Sequence, residues 1–317
     1  MALSLRSCWR AKSRGWPSCC WLAGSLWRSR RVDSSSREAE LMAAPGWLTN
    51  LRDDLRLYLH LAAADLRSQM QYKTSFLMSL VGQFAITYLD FVVIVVLFQR
   101  FPSIGGWSLG EVALIYGLAM TAFGFAELIT GGFDRLPGML LRGEFDRVLV
   151  RPVSTFAQIF SQEVSLRRFG RIGQGLVVMA LGLSLVPVDW TVGKLAYLLV
   201  SLAAGAGVFV GVFVLGSVLC FWTIQSNELI NIFTHGGSMM VSYPISVYED
   251  WMRKFFMFVV PLAFVSYFPA LHVLGRPDPL GLPAWLQLAS PLVAVAFLSV
   301  AGIAWRFGVA HYQSTGS

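Results

Sequence analysis

The chain has 317 residues, 56% of them hydrophobic and 14% charged, with a formal net charge of +7. A soluble domain carries nearer a quarter charged residues; here charge is missing from several runs of roughly 20 residues and concentrated between them. That distribution excludes an ordinary soluble globule, and it assigns the basic excess to loops that hold orientation and face anionic lipid, not to a nucleic-acid surface.

Residues 1–41 are rich in Arg, Ser, Trp and Cys and hold no apolar stretch long enough for a signal sequence. Asp33, Glu38 and Glu40 weaken a mitochondrial-type reading, so this basic tail is expected to be disordered or a start-site extension ahead of a working start at Met42. The four cysteines, Cys8, Cys19, Cys20 and Cys220, have neither zinc-ligand spacing nor the look of a disulfide framework. Within residues 42–75, Leu48, Leu51, Leu55, Leu59, Ala62, Leu66 and Met70 recur at three- and four-residue steps. That periodicity predicts an amphipathic helix lying in the headgroup plane.

Six transmembrane helices are expected within 76–306, near 76–98, 109–131, 171–188, 195–223, 255–274 and 286–306, leaving a short cytoplasmic tail at 307–317. The fold class is all-α and polytopic. With both termini cytoplasmic, the inner side holds 22 Lys and Arg against 3 outside; without the 8 in the tail the ratio is 14 to 3. The positive-inside rule supports that orientation. Trp107, Trp190 and Trp285 then fall at outer ends and Trp222, Trp251 and Trp305 at inner ends, as two interfacial belts.

Polar groups inside spans are the first candidates for chemistry. Gln83 and Asp90 are seven residues apart, on one face of the first span; Glu111 and Glu127 lie near opposite ends of the second. A carboxylate at mid-depth costs about 2.5–3.5 kcal/mol on insertion scales. Asp90 should therefore face a partner or a wet cavity, as a cation or proton site or as a structural hydrogen bond. In the fourth span, Gly207 and Gly211 form a small-xxx-small pair, suited to close packing within the chain or at a subunit interface.

The segment between spans two and three is too charged to cross and too apolar for a bare linker. Phe145, Val148 and Leu149 cluster at helical spacing among Glu144, Asp146, Arg147 and Arg151, and Pro152 ends the stretch. A short amphipathic helix of this kind needs membrane surface or a groove in a cytoplasmic partner for its apolar face. No glycine-rich phosphate loop, HExxH or GxSxG motif is present, and the four histidines are scattered. The chain is expected to bind no cofactor or metal and to catalyse nothing itself.

Three stretches together resemble the permease subunits of bacterial type-2 ABC exporters. Gly143-Glu144-Phe145-Asp146-Arg147-Val148-Leu149-Val150-Arg151-Pro152 is similar to the family's Gly-x-x-Asp-x-x-Leu-x-Arg-Pro pattern. The second stretch runs from Tyr243-Pro244-Ile245-Ser246-Val247-Tyr248 through Pro261 to Tyr267-Phe268-Pro269-Ala270. The third is Trp305-Arg306-Phe307-Gly308 with Tyr312, Ser314 and Gly316. The resemblance covers about residues 50–317 and implies a plasma- or inner-membrane subunit that pairs with a second permease, identical or not. It implies two separate ABC ATPase subunits that hold ATP and Mg, and a coupling helix at 134–152 seated in a groove of the ATPase. It also implies a substrate path along the first, second and fifth spans and an interfacial helix at 47–72. Two other classes stay open on the residues: a secondary transporter using Asp90 and Glu127, and a membrane scaffold that carries nothing.

Overall fold

A bilayer offers no partner for a backbone N–H or C=O, so an apolar run must bond within its own segment, and here it does so as helix. A computed structural model describes residues 73–151, 154–160, 168–223 and 231–312. The basic tail, the expected interfacial helix, Pro152, Ser314 and Gly316 lie outside the described residues. Four described helices are long and apolar enough to cross: Leu77–Arg100, Leu109–Leu141, Val192–Leu219 and Ser290–Ala310. The elements are α1 (Lys73–Arg100), α2 (Leu109–Thr130), α3 (Leu136–Leu141), α4 (Phe145–Leu149), α5 (Thr155–Phe160), α6 (Phe169–Leu185), α7 (Val192–Leu219), α8 (Gly237–Val241), α9 (Asp250–Lys254), α10 (Tyr267–Leu274) and α11 (Ser290–Ala310). The protein is an all-α polytopic membrane protein.

Helix α2 is the centre of the bundle. It is apolar on all sides and buried along nearly its whole length, which is the condition a helix without a polar face requires. Small residues let its neighbours approach closely, above all α6, which runs antiparallel beside it. Gly110, Gly117 and Gly124, spaced by seven, face Val186, Met179 and Ile172; Gly175 and Gly182 face Thr121 and Leu114. A Cβ on Gly117 would stand 2.5 Å from the Met179 backbone, and one on Gly182 would stand 2.5 Å from Leu114 N. The two backbones are in direct contact, as small-residue packing in lipid allows. Thr121 closes its own hydroxyl onto the Gly117 carbonyl at 2.6 Å, so its side chain brings no unmet donor into the seam.

The glycines expected to pack the fourth span do so within the chain. Gly207 faces Leu298 and Ala294, and Gly211 faces Phe297, so both lie against α11; Gly205 faces Ala122 and Val265. That surface of α7 is therefore occupied by the chain itself and is not open as a subunit interface.

The fifth crossing is not where hydropathy puts it. Residues 231–247, a π-helical turn at Ile232–Gly236 followed by α8 and a 3₁₀ turn at Ile245–Val247, connect the two ends of the bundle. At one end the His235 ring meets Phe123 at 5.3 Å. At the other, Ser246 Oγ accepts from Trp107 Nε1 at 3.0 Å, and Val247 touches Gly105 in the loop between α1 and α2. The expected span at 255–274 is instead a shallow V. Asp250–Val259 descends from the Trp107 end, the chain bends by 77° at Val260–Pro261, and Leu262–Leu274 returns. Leu262 reaches the level of Gly237, Ser266 Oγ donates to the Val241 carbonyl at 2.7 Å, and Arg276 is back beside Gly106.

Trp251, Arg253 and Lys254 therefore lie at the Trp107 end, the external side by charge count. The Lys and Arg ratio after Met42 becomes 12 to 5, and the orientation stands. Two expected belt tryptophans also prove to be core. Trp107 and Trp305 are buried, Trp107 beneath the Arg276 guanidinium at 4.7 Å and beside Tyr267 at 5.8 Å. Arg276 also bonds Glu111 at 2.9 Å, while Glu111 completes a capping box with Ser108, the N-cap of α2. Spans one, two, three, four and six hold their predicted places with ends shifted by a few residues.

Two outcomes follow from this packing. Gly117→Ala or Gly182→Ala forces a methyl into backbone and should cost about 1–3 kcal/mol, read as a lowered thermal midpoint in detergent. Gly302→Ala, with nothing within 4 Å, should instead hold or raise it, by about 1 kcal/mol at most. For topology, Glu249→Cys and Pro279→Cys, each in a background lacking the four native cysteines, should react with an impermeant maleimide from the same side of sealed vesicles. Arg147→Cys should react from the opposite side. Labelling of Glu249→Cys on the Arg147 side would restore the span at 255–274.

Candidate functional site

The Leu109–Leu141 helix is 33 residues long. At 1.5 Å per residue it reaches about 50 Å, well beyond the roughly 30 Å of hydrocarbon. The excess emerges at the Arg168 end, the cytoplasmic side by charge count, and carries the segment that follows. Gly131–Arg135 tightens into a 3₁₀ turn, and Pro137 sits in the first turn of α3. Gly143, at φ +65°, reverses the chain, a conformation that glycine adopts without Cβ strain. Gly143 N–H donates to Leu140 O at 3.2 Å and Glu144 N–H to Met139 O at 2.9 Å, which places α4 against α3.

The apolar side of α4 points inward. Phe145 is 0% exposed, with its ring 5.5 Å from Phe221 and 4.9 Å from Tyr312. Val148 is buried, and its carbonyl accepts from Gln158 Nε2 on α5 at 3.0 Å. Phe133 packs on Phe156 and Trp305 at 5.5 and 5.4 Å. These rings join the segment to the ends of α7 and α11. The expectation that Phe145 and Val148 form the face offered to a partner is therefore wrong: the chain's own core takes them. What remains outward is Leu149 (41% exposed), Val150 (85%) and Leu141 (55%), with exposed Arg142, Arg147 and Arg151 around them. Asp146 is half-buried. Arg142 bonds Glu144 at 2.8 Å and holds its carboxyl below the usual range; both side chains are solvated, so the pair adds little stability.

A charged cluster supports the segment from behind. Arg168, at the start of α6, is almost fully buried. It donates to the Glu127 carbonyl and to Asp134 Oδ2, the latter at 3.1 Å. Arg171 pairs with the Glu127 carboxylate and lies over the Phe123 ring at 5.0 Å. Glu127 was a candidate proton or cation site; the structure gives its charge to two arginines. Sequence reasoning passed over Arg168 and Arg171, although their i, i+3 spacing at a span's start, opposite Glu127 and Asp134, is a legible signal.

Gln83 and Asp90 share a face of α1, and it is the face turned inward. Gly170 of α6 approaches the Leu80 carbonyl and Gln83, while Phe91, the residue after Asp90, meets Tyr116 of α2 at 5.6 Å between ring centroids. Asp90 is half-buried. Among the described residues no group of three or more His, Cys, Asp or Glu is placed to hold a metal ion.

Comparison with curated proteins finds no match, and neither does comparison with solved structures. A family model described as ABC-2 family transporter protein matches residues 84–316. That range takes in most of α1, every later span, the segment around α4 and its charged support. An apolar bundle with one short segment projecting suits such a membrane subunit, and the chain belongs to this family, as a multi-pass permease subunit of an ABC transporter.

Proposed function

We propose that this chain is the membrane subunit of an ATP-driven exporter in the plasma or inner membrane. It pairs with a second permease, identical or homologous, and couples through residues 134–152 to separate ABC ATPase subunits that hold ATP and Mg. The observation that carries the reading is the seating of α4. A five-residue helix with two buried anchors, backed by aromatic rings on α7 and α11, cannot yield independently of the spans. A push on its outer surface becomes displacement of the bundle. That surface, Leu141, Leu149 and Val150 among Arg142, Arg147 and Arg151, suits an apolar groove with an acidic rim.

A secondary transporter built on Asp90 and Glu127 is the weaker reading, because Glu127 is already neutralised by Arg171 and Arg168.

The test uses the full chain, expressed with the ATPase and any second permease encoded beside its gene and purified in lipid. Leu149→Asp with Val150→Asp should reduce the chain's effect on ATP hydrolysis by about tenfold, equivalent to about 1.4 kcal/mol of docking. The thermal midpoint should stay within about 2 °C, since neither side chain is core. Phe145→Asp should instead lose folded protein, because it buries an unpaired charge. Full ATPase recruitment and unchanged hydrolysis with the Leu149/Val150 double variant would remove the coupling role from this surface.

A further inference from the structure

The segment around α4 is tied to the bundle in two ways. The apolar tie is Phe145 on Phe221 and Tyr312, with Phe133 on Trp305, and it leads to the ends of α7 and α11. The polar tie is Arg168, the N-cap residue of α6. Its side chain is 5% exposed and reaches back to the Glu127 carbonyl in the last turn of α2. It also donates to Asp134 Oδ2 at 3.1 Å, in the 3₁₀ turn that begins the segment.

An arginine is an unfavourable choice for the helix it belongs to. The start of α6 is the positive end of its helix dipole, and no acidic residue in the first turn offsets the charge. Burial adds a desolvation cost. Both are offset across the seam. The last turn of α2 holds no basic residue of its own, and Arg168 brings a cation and N–H donors to that negative end. The bond to Asp134 is of another kind. The Asp134 side chain is 43% exposed, so this pair contributes little to stability. What it fixes is position, because it sets where the 3₁₀ turn stands relative to α6.

The guanidinium is also incompletely used. Its Nε–H is buried without an acceptor, and Glu127 Oε1 stands 3.8 Å away, an ion-pair contact too long for a hydrogen bond. The other carboxylate oxygen, Oε2, is held by Arg171. A buried donor with no acceptor is rare and costly. A shift of Arg168 by about 1 Å towards Glu127 supplies the acceptor. Arg168 thus has one partner in the position seen, Asp134, and a second in a neighbouring position, Glu127 Oε1. Loss of the first bond is offset by gain of the second, which is the property a two-state element needs.

We propose that Arg168 is a positioning residue for coupling: it holds the segment to α6 through Asp134 and exchanges that bond for one to Glu127 when the docked segment moves. The proposal rests on the reading of residues 134–152 as the coupling segment. Docking uses the outward surface at Leu149 and Val150, and transmission to α6 uses Arg168.

The test uses the full chain with its ATPase in lipid and reads two quantities, the affinity with which the ATPase is recruited and the chain's effect on ATP hydrolysis. Asp134→Asn leaves Arg168 bonded to the Glu127 carbonyl. Arg168→Met leaves Glu127 paired with Arg171 and Asp134 half-open to water, so neither variant strands a buried charge. Each should reduce the effect on hydrolysis by about five- to tenfold, with recruitment within about twofold of wild type. The double variant should be no worse than either single one, since both remove the same bond. Asp134→Glu, which keeps the carboxylate, should retain most of the effect. Recruitment and hydrolysis falling together, with a lowered thermal midpoint, gives Arg168 a structural role alone and overturns the proposal. An undiminished effect on hydrolysis in Asp134→Asn overturns it too. If Arg168→Met does not fold, Asp134→Asn still decides, because its side chain is half-exposed.

Leu149→Asp with Val150→Asp, run alongside, separates the two readings. Loss of coupling there with full coupling in Asp134→Asn removes the role of Arg168 and leaves the docking surface standing. The reverse result keeps Arg168 and removes the surface. A second measurement needs no ATPase: amide hydrogen exchange on the full chain in nanodiscs. Asp134→Asn should speed exchange by about three- to fivefold across residues 131–141 and leave α4, held by Phe145 and Val148, unchanged. Equal exchange across 131–141 in wild type and variant refutes the tie.

Discussion

The contact between the backbones of α2 and α6 is the constraint on which the rest of the bundle depends. In lipid the helices gain nothing from hiding apolar surface, because the surrounding chains are as apolar as they are. What remains is dispersion at short range, and its yield depends on how closely two helices can approach. Five glycines, three on one helix and two on the other, remove every side chain that would hold the axes apart. Glycine costs about 1 kcal/mol relative to alanine inside a helix, so the seam gives up some local helix stability in exchange for contact along the whole length of α6. A 17-residue helix, about 25 Å, is barely long enough to cross, and this contact fixes its place beside α2.

Each end of the seam is then closed by charge. At the Arg168 end, two arginines reach from α6 to Glu127 and Asp134, across the point where α2 leaves the bilayer. Burial makes these groups costly unless each is bonded, and the paired carboxylates and the Glu127 carbonyl meet most of that need. At the Trp107 end, Arg276 bonds Glu111 and the Gly106 carbonyl and covers Trp107, fastening the returning arm of the V to the start of α2. One helix thus carries the glycine seam, an arginine closure at each end and the root of the projecting segment. The projecting segment at α4 is thus seated on a single body made of α2, α6 and the ends of α7 and α11.

The sequence made much of this legible, and its failures have physical causes. Length and apolarity located five spans, because a span must be both. The fifth was misplaced because hydropathy measures composition and not direction. Residues 255–274 are as apolar as any span, but Pro261 removes a backbone donor and the chain turns back. The true crossing is disguised by His235, Ser238 and Ser242, whose polar atoms are bonded to Thr234, the His235 carbonyl and the Ser238 carbonyl respectively. Periodicity likewise identified α4 as amphipathic but could not say what covers its apolar side, because Phe221 and Tyr312 come from distant parts of the chain. Asp90 and Gln83 were placed on one face correctly, since that needs only helical geometry. That the face turns inward follows from Gly170 and Tyr116, which no local pattern around Asp90 contains.

The distribution of regular and irregular backbone follows the same logic. Around α2 the helices are continuous, and close packing leaves no room for displaced carbonyls. Among the described residues the fifth crossing and the V carry both π-helical turns, Ile232–Gly236 and Phe255–Val259, and the 77° bend. Such turns loosen the hydrogen-bond ladder and persist where a function or a packing constraint requires them. They face each other here: Phe233 of one turn meets Phe255 of the other at 6.4 Å, and Leu262 beyond the bend rests on Gly237.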